Sequence, residues 1–123
     1  MANTKTKILH VEDRESIIGA FKISFQDKNK FNFKCATNLE DALSIIQKED
    51  FDVYVTDGSY PLNKSGREDY AWPKFYENLM KIKPDAKVIL LSANEFSSIP
   101  KNITYFNKTD LDKCVKYIEG MFK

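Results

Sequence analysis

Ile8-Leu9-His10-Val11-Glu12-Asp13 is a short apolar run that stops abruptly at two carboxylates, and its reading decides the fold. Ile8 to Val11 is the first strand candidate. The next segment is amphipathic: Ile18, Phe21 and Phe25 are spaced to share one face, which predicts a helix from Glu15 to about Lys28. Strand, acidic stop and helix together suggest a crossover, and the downstream sequence alternates in the same way.

Phe31 to Ala36 reads as a second, more exposed strand. Asn38 can cap a helix whose inward face is Leu39, Ala42, Leu43 and Ile46. Phe51 to Thr56 is the third strand and ends at Asp57-Gly58. A turn-rich loop, Pro61-Leu-Asn-Lys-Ser-Gly66, leads to a helix starting near Pro73, a residue suited to the first helical turn. Lys87 to Leu91 is the most apolar strand, which places it at the centre of the sheet. Ile103 to Phe106 is the last strand, and Leu111, Cys114, Val115, Ile118 and Phe122 form the stripe of a final helix. Such alternation predicts an α/β fold with a doubly wound, five-stranded parallel sheet between helix layers, a three-layer sandwich. At 123 residues, positions 1–123 read as one domain, with no interdomain linker and no internal repeat.

Composition narrows the function. Hydrophobic residues at 42% and charged residues at 30% are globular values. Lys and Arg number 19 against 18 for Asp and Glu, a net charge of +1, so electrostatics give no reason to expect nucleic acid or an anionic membrane as partner. Cys35 and Cys114 lie far apart, outside any CxxC spacing, and read as buried reduced thiols. There is no apolar signal region and no run near the ~20 apolar residues that cross a bilayer. A cytoplasmic protein is expected.

Ligands of doubly wound folds sit at the carboxyl ends of the strands, near a topological switch point. Those positions hold Glu12 and Asp13 after the first strand, Asp57 after the third, Ser92 after the fourth and Lys108 after the fifth. Carboxylates gathered at one sheet edge repel by a few kcal/mol per close pair at an effective dielectric near ~20. A divalent cation with oxygen ligands is the usual resolution, and partly hydrated Mg²⁺ suits one or two carboxylates plus a phosphate. Lys108 offers a compact charge for a phosphate oxygen, and Ser92 a hydroxyl donor. Taken singly, each residue has a structural reading. Glu12-Asp13 suits a helix N-terminus, Asp57-Gly58 a turn, Ser92 a cap and Lys108 a solvated surface. Their placement at successive strand ends favours a site. His10, inside the first strand, reads as a satisfied core or edge histidine.

Val11-Glu12-Asp13, Asp57 followed by Pro61 and Gly66, Ser92-Ala93 and Lys108 resemble the signature of bacterial two-component response regulator receiver domains, of the chemotaxis type. The resemblance spans nearly the whole chain. It implies the flavodoxin-like strand order 2-1-3-4-5 and a stand-alone phosphoacceptor switch that assists its own phosphotransfer and dephosphorylation without being an enzyme in the ordinary sense. It implies Asp57 as the phosphorylated nucleophile, Asp13 as a direct Mg²⁺ ligand, Glu12 acting largely through water, and the Ser59 carbonyl completing the metal shell. Ser92 and Lys108 would contact the phosphoryl oxygens, and Tyr105 would reorient with Ser92 on activation. The implied partners are a histidine kinase or phosphotransfer protein as phosphodonor and an output protein of unspecified identity, with neither nucleic acid nor membrane and with the oligomeric state open. A phosphate-hydrolysing enzyme of the aspartyl-phosphate type would want a second carboxylate two residues beyond the nucleophile, where Ser59 stands.

Two stretches depart from that pattern. Ten residues, Ala93 to Asn102, separate Ser92 from the last strand, and Pro100 is among them. An average helix of ~11–12 residues plus two loops does not fit, so the fourth helix is reduced to a turn or two, or lost. Thr109 stands where the pattern has proline. Arg67 to Trp72 adds residues before the third helix, and Tyr60, Tyr70, Trp72 and Tyr76 cluster there, either as an interface or folded back on the sheet edge. These departures leave open an alternative, a protein-binding module on the same fold that acts independently of phosphorylation.

Overall fold

The structure is a computed structural model that describes residues 5–94, 96 and 98–122. In chain order its elements are β1 (Thr6–Val11), α1 (Glu15–Ile23), β2 (Phe31–Ala36), α2 (Leu39–Lys48), β3 (Val53–Thr56), β4 (Tyr60–Pro61), β5 (Glu68–Asp69), α3 (Trp72–Ile82), β6 (Val88–Ser92), β7 (Ile103–Asn107) and α4 (Leu111–Met121). Five strands form one parallel sheet in the order β2-β1-β3-β6-β7, the expected 2-1-3-4-5 arrangement. The strand at its centre is β3, not the more apolar β6. Apolar content reports burial on both faces, and β3 and β6 are both fully buried, so composition alone does not rank them.

Alternate residues of each strand feed two cores. Ile8, Val53, Val55, Ile89 and Leu91 pack with Phe21 of α1 and with Cys114, Val115 and Ile118 of α4. Phe25 joins that layer and meets Phe31 and Phe33 of β2 at centroid separations of 4.8 and 5.0 Å. Leu9, Val11, Tyr54, Val88 and Leu90 face the other way, against Leu39, Ala42 and Ile46 of α2 and Trp72, Phe75 and Leu79 of α3. Both layers are needed because a parallel sheet is apolar on both sides.

Helix ends follow local chemistry. Asn38 caps α2 as expected: its Oδ1 accepts the Asp41 N–H at 2.8 Å, and its amide donates to the Asp41 carboxylate at 3.0 Å. Pro73 lies in the first turn of α3, where a missing N–H costs nothing. The first helix is shorter than its periodicity suggests. It stops at Ile23, where the Ser24 hydroxyl donates back to the Ala20 carbonyl at 2.8 Å, and Lys28–Lys30 forms a separate 3₁₀ turn. The third strand likewise begins at Val53 and not at Phe51; just before it, Asp52 stays tied to β1, its N–H donating to the Lys7 carbonyl and its carboxylate accepting the Lys7 N–H, both at 2.8 Å.

Two loops differ from simple connections. Tyr60–Pro61 and Glu68–Asp69 pair antiparallel, so the segment before α3 is a small two-stranded ribbon. Tyr60 and Trp72 are buried at its base, while Tyr70 stays 52% exposed. The aromatic cluster therefore divides, most of it folding inward. Between β6 and β7 there is no helix among the described residues. Phe96 and Ile99 instead pack onto the α2–α3 layer. Cys35 and Cys114 are free thiols, as expected, but only Cys114 is buried; Cys35 is half-buried on β2.

Replacing Asn38 by Ala should lower stability by about 1 kcal/mol, the usual worth of such a cap. Urea unfolding measures it, and a wild-type midpoint would show that the cap contributes nothing.

Candidate functional site

Strand register creates the site. Val11 pairs with Thr56 across β1 and β3, so Glu12 and Asp57, the next residues, leave the sheet side by side. The Asp57 N–H donates to the Val11 carbonyl at 2.9 Å and locks that alignment. The chain runs from β1 outward to β2, then returns to place β3 on the other flank of β1. Glu12, Asp13 and Asp57 therefore stand at the switch point, where such sheets open a crevice. On the far flank Ser92 pairs with Asn107, which delivers Lys108 to the same edge.

The side chains converge as those positions imply. Ligand oxygens of Glu12, Asp13 and Asp57 all lie within 4.8 Å of one another. Lys108 Nζ donates to Asp57 Oδ2 at 3.1 Å, and it sits 2.9 Å from Glu12 Oε1 as an ion pair without hydrogen-bond alignment. Asp57 Oδ1 accepts the Gly58 N–H at 2.7 Å, and Glu12 Oε2 accepts the Arg14 N–H at 3.2 Å. Asp13 Oδ1 is buried and has no hydrogen-bond partner among the described residues. Burial pushes the Glu12 carboxyl up, to about 7, against the opposing pull of the Lys108 ammonium, and the Asp57 charge adds to the push. Burial pulls Lys108 down, but Glu12 and then Asp57 outweigh it and hold its pKa above the ordinary lysine value.

This donor set fits a hard divalent cation. Its atoms are carboxylate oxygens, they are closely grouped, and the orphaned Asp13 oxygen wants a positive partner. Among the described residues this is the one grouping of at least three potential ligands.

The remaining sequence-derived candidates surround it. Ser92 is buried at the end of β6, and its Oγ accepts the Asn94 N–H at 3.3 Å. Ser59 is half-buried two residues beyond Asp57. Tyr105 turns its hydroxyl toward the loop after β6, donating to the Asn94 carbonyl at 2.7 Å, with the Ser92 carbonyl at 3.3 Å. Thr109 replaces the expected proline without loosening the turn: its N–H and its hydroxyl both reach Asn107 Oδ1 at 3.0 Å. His10 differs from expectation. It is buried against Phe21, with ring centroids 4.4 Å apart, and its Nδ1 has no partner among the described residues. Burial, with help from Lys108 and Lys22, holds it neutral with a pKa of about 3.

Sequence reading missed two supports. Thr56 Oγ1 donates to the Asp57 carbonyl at 2.8 Å and takes the Tyr60 hydroxyl at 3.0 Å, tying the Asp57 peptide to the ribbon. Gly58 leaves no room for a side chain: a Cβ there would lie 2.8 Å from Ser92 Oγ and 3.0 Å from Phe96 Cζ. Asp57-Gly58 looks like an ordinary turn in sequence, so only the glycine itself was a signal.

Comparison with solved structures finds the same architecture in receiver domains. The receiver domain of Francisella response regulator 1452 is 23% identical over 94% of both chains, with a TM-score of 0.73. A two-component transcriptional regulator of Clostridium phytofermentans is 21% identical over 94% of this chain and 90% of its own, with a TM-score of 0.74. The signal receiver domain of an HD domain-containing protein from Pseudomonas fluorescens Pf-5 is 16% identical over 95% and 94%, with a TM-score of 0.75. The chain thus has the receiver fold, and its function has to be argued from the site. No protein-family model and no curated protein matches it.

Metal-free Glu12→Gln protein should gain stability over wild type as pH rises. The raised pKa means that Glu12 favours folding fully below its unfolded value of 4.5 and loses that contribution as pH climbs through about 7. His10 acts with the opposite sign, since its depressed pKa removes stability as pH falls below 6.5. Subtracting the variant from wild type cancels the His10 contribution. Urea midpoints near pH ~5 and ~8 should diverge at the higher value; a constant difference would contradict the burial argument.

Proposed function

We propose that this chain is a phosphoacceptor signalling domain of a two-component phosphorelay, taking a phosphoryl group on Asp57 in a Mg²⁺-dependent way. The observation that carries the reading is the grouping of Glu12, Asp13 and Asp57 within 4.8 Å at the switch point, with Lys108 touching two of the three. A purely structural edge would not collect three carboxylates around a single lysine and leave one oxygen orphaned.

Asp57 is the nucleophile. One carboxylate oxygen attacks phosphorus of a phosphohistidine, the phosphorus–nitrogen bond breaks, the imidazole leaves and takes up a proton, and an acyl phosphate forms. The Gly58 N–H steadies the other oxygen, which orients the attacking lone pair. Lys108 is already on Asp57 and meets the negative charge of the incoming group with little motion. Ser92 supplies a hydroxyl donor to the same oxygens. Bound Mg²⁺, held by Asp13, Asp57, the Ser59 carbonyl and, through water, Glu12, would screen charge on the transferring group. Return to the resting state takes one water, which attacks phosphorus, releases inorganic phosphate and restores the carboxylate. The domain is in this account a switch and not a turnover enzyme. Its partners are a phosphohistidine protein as donor and an output protein whose binding changes with the state of Asp57, and the setting is cytoplasmic.

One observation favours a second reading. The β6–β7 crossover lacks a helix among the described residues, and that region belongs to the output face the receiver resemblance implies. A binding module that does not use phosphate would tolerate the loss.

The same test separates them. Incubated with Mg²⁺ and acetyl phosphate, wild type should acquire an acid-labile, hydroxylamine-sensitive phosphate on Asp57. Asp57→Asn should acquire none while unfolding as wild type does, because the amide keeps the shape and loses the nucleophile. Phosphate on the amide variant would move the chemistry elsewhere; none on wild type would favour the binding module.

A further inference from the structure

Gly58 is bracketed by two side chains. Its missing Cβ would meet Ser92 Oγ on one side at 2.8 Å and the edge of the Phe96 ring at 3.0 Å. Phe96 continues away from the acceptor into an aromatic group: its centroid lies 5.8 Å from Trp72 at an interplanar angle of 69°, 5.9 Å from Tyr70 and 6.1 Å from Tyr105. A second link runs through the backbone, where the Trp72 N–H at the start of α3 donates to the Gly58 carbonyl at 3.3 Å. Trp72 is buried in the α2–α3 core and also lines an open groove of about 560 Å³ with Pro73, Tyr76, Met80 and Pro100. Trp72 therefore meets the acceptor loop through its backbone and Phe96 through its indole, and it also lines the surface groove.

We propose that Phe96 is a positioning residue that ties the acceptor loop to Trp72, so that the state of Asp57 is passed to the N-terminus of α3. The inference rests on the phosphoacceptor reading and adds a route to it. In the receiver pattern that the sequence resembles, a full helix after β6 would occupy this side of the sheet. Here a short loop does, and its one described aromatic side chain fills the space between Gly58 and α3.

The physical step is a repacking. If the Ser92 hydroxyl turns toward phosphoryl oxygens on Asp57, Gly58 loses one of its two flanking neighbours. Close-packed interiors do not hold such a gap open, so the ring edge of Phe96 advances against Gly58. The loop is pinned by Tyr105, whose hydroxyl holds the Asn94 carbonyl at 2.7 Å, so the ring moves by tilting more than by drifting. Its edge-on contact with Trp72 converts that tilt into a shift of the indole. Two discrete packings of one aromatic group are the kind of bistable element that such coupling requires.

Trp72 is the single tryptophan of the chain, so its emission reports the end of this route without a label. Beryllofluoride with Mg²⁺ is the probe, and fluorine NMR counts bound sites independently of fluorescence. Wild type should show a Trp72 emission change that tracks occupancy. Phe96→Ala should bind the probe and lose most of that change, and Phe96→Leu, which keeps an apolar filler and guards against unfolding, should also lose it. Phe96→Tyr should retain it. Gly58→Ala, whose methyl would press on the ring, should shift Trp72 emission before any probe is added. Wild-type amplitude in Phe96→Ala at equal occupancy, or a silent Trp72 in fully occupied wild type, would overturn the route and leave the phosphoacceptor reading standing. Absence of a bound-fluorine signal in wild type would instead overturn that reading, and the route with it.

Discussion

Charge balance at the switch point is the constraint on which the rest depends. Three carboxylates within 4.8 Å share a single lysine, with two of them in contact with it. Two unit charges 4 Å apart interact by about 4 kcal/mol at an effective dielectric near 20, so the uncompensated pairs are not minor. The molecule meets part of the demand internally: the Lys108 ammonium is held between Glu12 and Asp57, and burial leaves Glu12 reluctant to ionise. Asp13 is left with a buried oxygen that has no partner among the described residues. A site in this condition is prepared for a cation, and for an anion that arrives with one.

The architecture exists to hold that edge still. Parallel pairing of β1 with β3 and of β6 with β7 sets all four residues at one height, and helices on both faces make the sheet rigid. Behind the carboxylates, Thr56 and Tyr60 join the Asp57 peptide to the small ribbon. In front, the missing side chain of Gly58 permits Ser92 and Phe96 to close on the residue next to Asp57. The parts that differ from a standard doubly wound domain, the ribbon and the crossover that has no helix among the described residues, both reach the Asp57-Gly58 step through these contacts. Departures from regular structure gather where function would need them.

Much of this was legible in the chain. Apolar runs ending at Glu12-Asp13, Asp57, Ser92 and Lys108 named the sheet and its functional edge, because strand-end positions in this topology have one destination. Asn38 and Pro73 announced their helix starts through local chemistry. What stayed hidden depends on contacts distant in sequence. Nothing in Leu62 to Arg67 reveals that Tyr60–Pro61 pairs with Glu68–Asp69, since a two-residue ladder carries no periodicity. That β3 rather than β6 is central comes from crossover order, not from apolar content. The need for glycine at position 58 arises from a phenylalanine 38 positions away, and the unpartnered Nδ1 of His10 from which side chains happen to surround it.

If cation demand is the governing constraint, the response of folding stability to Mg²⁺ reads it most directly. Ligands that bind only the folded state raise its stability with concentration. Thermal unfolding of wild type should move up as Mg²⁺ is added, whereas Asp13→Ala should barely respond. Without metal, the variant should be at least as stable as wild type, because a repulsion has been removed. Asp13→Ala protein that gains stability with Mg²⁺ as wild type does would contradict the account.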